Sequence, residues 1–445
     1  MSTQSKNPLS RLASERLGEL LKSGYLFASK MRRRAGVSSE SETPVDFPLL
    51  GRRTVLLRGK EGVEAFYDPE LVERTGAMPE FVSGPLFGSG AVHGLDGTAH
   101  SVRKEAMADL AYEDEEVARF IPLIREEMQD LLAEWREGRG GNVYDDTAKA
   151  FGLAAFRWAG IPAERAEMVR RAEQMSRLLD TFGRFPTNPV AWFERRQLDS
   201  WAAGLIEGAR DGSLAAPEGS TLARVAEMKD EHGRLLDART AGIELQNLTR
   251  PTVAVSRFAA FAAVALAEHP EWRERIRAAA AEKGVLTEVP EAVAFAQEVR
   301  RVYPFVPMLP GLVRKDATVQ GCPVRKGDRL LIDILGTNTG ASGWEDAESF
   351  NPERFLGVEN AEDIADFIPQ GGAGVRTGHR CPGEKIAVSA LSTAVAALSD
   401  EGVSISASPE DRTFSWTTIL TRPSTGVRIG GRDAQAPQGR CPVAH

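Results

Sequence analysis

One thiol stands at the end of a glycine-rich loop. The run Phe367-Ile-Pro-Gln-Gly-Gly-Ala-Gly-Val-Arg-Thr-Gly378-His379-Arg380-Cys381-Pro382-Gly383-Glu384 delivers Cys381 just ahead of the apolar series Ile386 to Leu398. That series reads as a helix. Loop glycines reach positive φ and let a flat ligand come close to the backbone. Pro382 suits a first helical position, and a helix N-terminus favours a thiolate. The chemistry this predicts is one axial thiolate on a haem iron. A lone cysteine is ordinarily a buried, unliganded side chain; the number of fitting neighbours sets Cys381 apart.

A second constellation lies on a long helix: Leu245-Gln-Asn-Leu-Thr249-Arg250-Pro251-Thr252-Val-Ala-Val. An internal proline removes a hydrogen bond and kinks the helix. Arg250 lies beside it in a largely apolar stretch, and a buried guanidinium needs an anionic partner. That partner is either a bound carboxylate or an internal one such as Glu244. Further on, Glu298-Val-Arg-Arg301 spaces an acid and a base so that both share one helix face. His100 and Lys104 share another, with Arg103 alongside: a cationic stripe for an anionic cofactor edge, or a solvated basic face. The segment 84–97 is expected to be a glycine-rich loop carrying Phe87 and His93. Its glycine spacing misses the dinucleotide fingerprint by one residue and no strand–helix frame brackets it.

These residues need a scaffold. The 445 residues are 42% hydrophobic and 27% charged, with net charge −8. That is ordinary globular composition, and it argues against a nucleic-acid surface. Cys322, Cys381 and Cys441 are the only cysteines; their spacing fits neither a disulfide framework nor a zinc site and reads as a reducing, cytoplasmic compartment. Arg440-Cys441-Pro442 lacks a glycine loop and a following helix and is rejected as a ligand site. No N-terminal apolar run is long enough for a membrane anchor or signal. Helical periodicity runs from Ala99 to about Arg210 and again from Ala238 to Arg301, with a break at Pro270. Short strands are expected at Thr54–Leu57, Val313–Lys315, Ala317–Val319 and Arg329–Leu335, with mainly loop over 336–380.

The cysteine loop resembles that of the cytochrome P-450 superfamily. Its Gln370-Gly-Gly run, long Gly-rich insertion and Gly378-His-Arg-Cys-Pro-Gly resemble one bacterial branch more closely, the fatty-acid peroxygenases. These use hydrogen peroxide in place of dioxygen and a reductase. They include hydroxylases and decarboxylases that form terminal alkenes. Ala373 departs from the branch, which usually continues the glycine run there. The resemblance extends over most of residues 20–430, through Gly59-Lys60-Glu61, Leu86-Phe-Gly, Asp96-Gly-x-Ala-His, Arg250-Pro-Thr-Val-Ala-Val, Glu298-Val-Arg-Arg-x-Tyr-Pro-Phe and Gly336-Thr-Asn.

The fold this implies is mainly α with a small β region. It is a single catalytic domain over 1–445, with 1–20 and 432–445 peripheral or flexible. Haem b would lie between the long central helix and the cysteine loop. Cys381 becomes the axial iron ligand, Gly383 part of the cofactor loop, and His100, Lys104 and His379 propionate contacts. Glu298, Arg301 and Arg354 (in Asn351-Pro-Glu-Arg-Phe355) become a structural buttress. Arg250-Pro251 replaces the acid–alcohol pair that other members use to protonate dioxygen. Arg250 then binds the substrate carboxylate, which serves as general acid–base for peroxide. Phe87 and His93 fall near iron and substrate. Hydroxylating members commonly carry Gln at the His93 position and several alkene-forming members carry His, so decarboxylation beside 2- or 3-hydroxylation is expected. No obligatory redox partner is implied. The rival readings are a dioxygen-dependent monooxygenase with separate redox partners, and a non-catalytic haem sensor or fatty-acid carrier.

Overall fold

A computed structural model describes residues 8–181 and 188–431; Cys441 lies outside the described residues. Two N-terminal helices, α1 (Pro8–Ser23) and α2 (Phe27–Arg34), lead into the hairpin β1 (Val45–Leu49) and β2 (Arg52–Leu57). Then come α3 (Gly59–Tyr67), β3 (Val72–Glu73) and α4 (Glu80–Phe87). The helical body follows: α5 (Gly97–Ala111), α6 (Asp114–Arg136), α7 (Val143–Trp158), α8 (Arg165–Thr181), α9 (Asn188–Asp211), α10 (Thr221–Ala226), α11 (Ala238–Ala254), α12 (Ser256–Glu268), α13 (Pro270–Lys283) and α14 (Pro290–Val302). The chain closes with β4 (Met308–Val313), β5 (Ala317–Val319), β6 (Cys322–Val324), β7 (Arg329–Asp333), α15 (Ile334–Asn338), α16 (Glu384–Leu398), β8 (Val403–Ile405) and β9 (Ile429–Gly431). This is the mainly helical architecture with a small β region that the sequence predicts.

Local chemistry sets the boundaries. Asn142, Ser220, Asp237 and Asp333 each accept a backbone N–H bond at a helix start, satisfying donors the helix itself cannot. Pro270 and Pro290 open α13 and α14, where a missing N–H costs nothing. Pro251 cannot donate to the Asn247 carbonyl. Four residues later the helix breaks at Val255, whose amide bonds Pro251 O at 3.2 Å and Thr252 O at 3.1 Å. Ala238–Glu268 is long and apolar enough to cross a membrane, yet 83% of its apolar window is buried in the protein. Its side chains join α6, α7, α14 and α16 in one large core.

The five-stranded sheet has the order β1-β2-β7-β4-β3, with β2 and β7 parallel and the other pairs antiparallel. β7 is buried along its whole length, as a parallel neighbour covered on both faces should be. Helix α1 packs on β1, with Arg16 over the Phe47 ring.

Four local expectations change. The segment 84–97 is not all loop: its first four residues close α4. Gly84 is needed inside that helix, because a Cβ there would come within 2.4 Å of the Trp192 ring. Pro382 is not helical; α16 begins at Glu384, after Gly383 turns the chain. The strand expected at Val313–Lys315 ends at Val313, its ladder being the one that pairs Met308–Leu312 with β7. The strand expected to reach Leu335 stops at Asp333, whose carboxylate accepts from Gly336 N at 2.9 Å and starts α15.

Candidate active site

The cysteine loop is held shut by its own backbone. Cys381 N donates to Gln370 O at 3.1 Å and Gly378 N to Gly374 O at 2.8 Å. Gly371 has φ +98°, and a Cβ there would approach His379 O to 2.8 Å. Ala373 has φ +61°, a left-handed conformation that costs a non-glycine residue about 1–2 kcal/mol. The alanine that departs from the branch pattern therefore occupies a backbone position made for glycine.

Glu384 anchors the loop to the helices. Its carboxylate receives Arg380 Nε at 2.7 Å and the Arg300 guanidinium, which also reaches Gln370 Oε1 at 2.8 Å. Beside it, Glu298 and Arg301 make a bidentate pair at 2.7 Å, both fully buried. Arg301 also donates to the carbonyls of Asn338, Ala347 and Ser349. Glu298 Oε1 accepts from Asn351 N at 2.7 Å and lies 3.7 Å from Arg354 Nε. Arg354 donates to the Glu345 and Asp346 carbonyls. The three residues expected to buttress the core thus meet, tying α14 to the loop after α15.

Cys381 borders a cavity bounded by the cysteine loop, the kinked stretch of α11, and the α4–α5 connection. Arg250, Pro251, His93, Phe87, His100, Lys104, His379 and Gly383 all line it. Burial pushes the Cys381 thiol up; Lys104 opposes that shift, and a Gly383 backbone hydrogen bond contributes less. Burial thus favours the neutral thiol, and a bound metal would offset that.

Basic groups crowd one side of the cavity. His100 and His379 stack at 4.2 Å. Lys104 donates to Arg380 O, and burial lowers its ammonium to about 8. Burial, then Lys104, lowers His100 to about 4, and burial followed by Arg74 pushes His379 far down. Arg74 lies over the Phe66 ring at 4.0 Å and donates to Pro310 O at 2.9 Å, leaving Nη2 buried without a partner. Among the described residues, none of His100, Lys104 and His379 is ion-paired to a carboxylate. A flat dianionic cofactor with a thiolate ligand fits this surplus of buried basic groups.

On the α11 side, Arg250 is 4% exposed. Its Nη2 donates to Asn247 Oδ1 at 2.8 Å, and its Nε is buried without a partner. Burial, then the charge of Arg195, lowers it to about 9. Glu244 does not pair with it. That carboxylate bonds Arg103 Nη1 at 3.2 Å, Val92 N at 2.8 Å and Asn247 Nδ2 at 3.1 Å. The internal salt bridge that could have explained Arg250 is therefore not formed. His93 stacks on Phe87 at 4.2 Å. Its exposed surface faces the cavity, and burial, then Arg250, lowers it to about 3. The imidazole is neutral at any physiological pH.

A second, apolar cavity shares Leu86, Phe87, Val306 and Leu309 with the first. Leu178 lines this outer cavity and Leu179 and Phe305 the inner one. Arg74, Asn247, Arg300 and Glu384 escaped sequence reasoning. Only Asn247, three residues before Arg250 on one helix, carried a readable signal.

The cytochrome P-450 family model matches residues 252–398. Over nearly the whole chain, the structure is similar to ligand-free cytochrome P-450 OleT, at 32% identity and a TM-score of 0.84, covering 93% of this chain and 96% of that one. It is similar to cytochrome P-450SP alpha solved with (R)-ibuprophen, at 31% identity and a TM-score of 0.82, covering 93% and 97%. Cytochrome P-450EX alpha solved with myristic acid gives 29% identity and a TM-score of 0.81, covering 93% and 96%. Among curated sequences, putative cytochrome P-450 137 of Mycobacterium tuberculosis is 24% identical over 79% of this chain and 74% of its own length. The chain belongs to the cytochrome P-450 family, in the bacterial peroxygenase branch that its motifs resemble. It is a haem-thiolate oxidoreductase.

Proposed function

We propose that the protein oxidises fatty acids at Cα or Cβ with hydrogen peroxide, giving 2- or 3-hydroxy acids and terminal alkenes. The observation that carries this is Arg250. It is a buried guanidinium facing the cavity that Cys381 borders, with no carboxylate partner among the described residues; Glu244, six residues earlier on the helix, is already engaged by Arg103. A fatty-acid carboxylate is the anion that would complete it, and one such acid, myristic, is bound by a similar protein.

Cys381 would supply the thiolate to the iron of haem b, with His100, Lys104 and His379 toward the propionates. When bound, the haem supplies the oxidising chemistry for which hydrogen peroxide is the oxidant. Arg250 fixes the carboxylate bidentately and in a dry site, where such a pair is strongest. Held there, the carboxylate accepts and returns a proton of the peroxide, the general acid–base role. Pro251 breaks the hydrogen-bond ladder at this turn and lets the helix bend beside the site. Anchoring the head group leaves Cα and Cβ as the carbons nearest the reacting centre. The tail passes Phe87 into the apolar outer cavity, which keeps water out.

Hydroxylation consumes one peroxide and releases one water. Decarboxylation converts one acid and one peroxide into an alkene, carbon dioxide and two waters. His93, neutral and stacked on Phe87, can donate or accept a hydrogen bond at the carboxylate, which makes it the residue most able to bias this partition. The reading is tested by comparing turnover driven by peroxide with turnover driven by NAD(P)H, a ferredoxin and its reductase; activity only with the latter would replace it with a dioxygen-dependent monooxygenase.

A further inference from the structure

We infer that Glu244 is a positioning residue for the substrate carboxylate: neutralised by Arg103, it fixes the orientation of the Asn247 amide and, through it, of Arg250. The inference rests on the proposed carboxylate-binding role of Arg250.

Glu244, Asn247 and Arg250 follow one another at three-residue spacing along α11, one above the next on a helix face. Glu244 is 0% exposed, and its oxygens take three donors. Oε1 accepts from Val92 N at 2.8 Å and Arg103 Nη1 at 3.2 Å, and Oε2 from Asn247 Nδ2 at 3.1 Å. An ionised carboxylate only accepts, so it must face the amide nitrogen of Asn247. That nitrogen also donates to Phe87 O at 3.1 Å. The Asn247 oxygen is thereby turned to the one neighbour that can only donate, Arg250 Nη2, at 2.8 Å. The order of donors and acceptors leaves a single consistent amide orientation.

The same carboxylate fastens the other wall of the site. Val92 precedes His93, and Arg103 also donates to Gly90 O at 2.9 Å. Arg250 on the helix and His93 on the turn are therefore referenced to one buried charge. Its neutral isostere, Gln, retains an oxygen for Val92 but presents an amide N–H₂ to Asn247. The Asn247 amide then has either to leave that contact or to turn its own N–H₂ against Arg250.

The test uses haem-loaded wild type, Glu244→Gln, and the double variant Glu244→Gln/Arg103→Leu, which removes the unpaired cation that the single change leaves behind. Haem content and thermal midpoint report folding. Calorimetry with hexadecanoic acid and with hexadecanol separates head-group recognition from tail binding. Both variants are expected to bind the acid about tenfold more weakly or worse, as loss of a buried charge-assisted contact entails, with alcohol affinity unchanged. The double variant is expected to regain the thermal midpoint but not the acid affinity. Wild-type acid affinity in the double variant would mean that Glu244 only balances Arg103, and would overturn the inference. Wild type that binds acid and alcohol equally would instead overturn the role of Arg250 itself.

Discussion

Replacing Arg250 by leucine should make the substrate-free protein more stable while destroying its affinity for fatty acids. The guanidinium is 4% exposed, reaches one amide oxygen, leaves its Nε unpaired, and is lowered by burial to about 9. That is an uncompensated buried charge, and leucine removes it; replacing poorly compensated buried ions with apolar side chains gains roughly 1–3 kcal/mol. For a domain of this size, that is a rise of a few degrees in the thermal midpoint. In the complex the sign reverses. A substrate carboxylate facing leucine is buried without its partner, at a cost of roughly 3–5 kcal/mol. This corresponds to a loss of affinity from about a hundredfold to a few thousandfold. The assay pairs differential scanning calorimetry of the substrate-free holoprotein with titration of hexadecanoic acid, haem content being measured on the same sample. A lower midpoint, or acid affinity within a few-fold of wild type, would refute the reasoning.

Further outcomes follow from the same geometry. Arg301→Leu removes the bidentate partner of the fully buried Glu298 and leaves it the Asn351 amide and the more distant Arg354; the loss should cost about 3 kcal/mol, read as loss of haem incorporation and soluble protein on purification. His93→Gln should keep fatty-acid affinity within a few-fold and shift products toward hydroxy acids, read by gas chromatography; an unchanged alkene fraction would exclude His93 from the partition. His93 also predicts a pH effect. Its folded pKa of about 3 lies below the unfolded value near 6.5, so in that window the unfolded chain binds the extra proton and stability rises with pH. The rise in stability of the haem-free protein between pH 4 and 6.5, followed by denaturant unfolding, should therefore be less steep in His93→Gln.

The sequence carried the parts whose chemistry is local. Cys381 in its glycine loop, the Arg250-Pro251 kink and the Glu298–Arg301 spacing each depend on residues within one turn, so their types and intervals were enough. The α4 helix was hidden because Gly84 and Pro85 read as loop residues. The Trp192 ring, more than a hundred residues away in sequence, packs where a Cβ at Gly84 would sit. Glu244 shows the same limit more sharply. Its spacing from Arg250 allowed an internal salt bridge, and only the packing of α5 against α11 brings Arg103 in to take the carboxylate instead. Arg74 joins the basic wall from a strand end with no motif around it. Cys381 itself is sharpened by the fold. Burial favours its neutral thiol, a preference that a bound metal would offset.

The central claim is that Arg250 and Cys381 together define a peroxide-driven oxidation of the carbons next to a carboxylate. Purified holoprotein is incubated with hydrogen peroxide and a series of saturated fatty acids, with no reductase or nicotinamide present, and the products are identified by mass spectrometry. The account predicts 2- and 3-hydroxy acids together with terminal alkenes one carbon shorter than the substrate, from wild type but not from Arg250→Leu. Oxidation confined to carbons remote from the carboxylate, or no turnover until a reductase system is added, would contradict it.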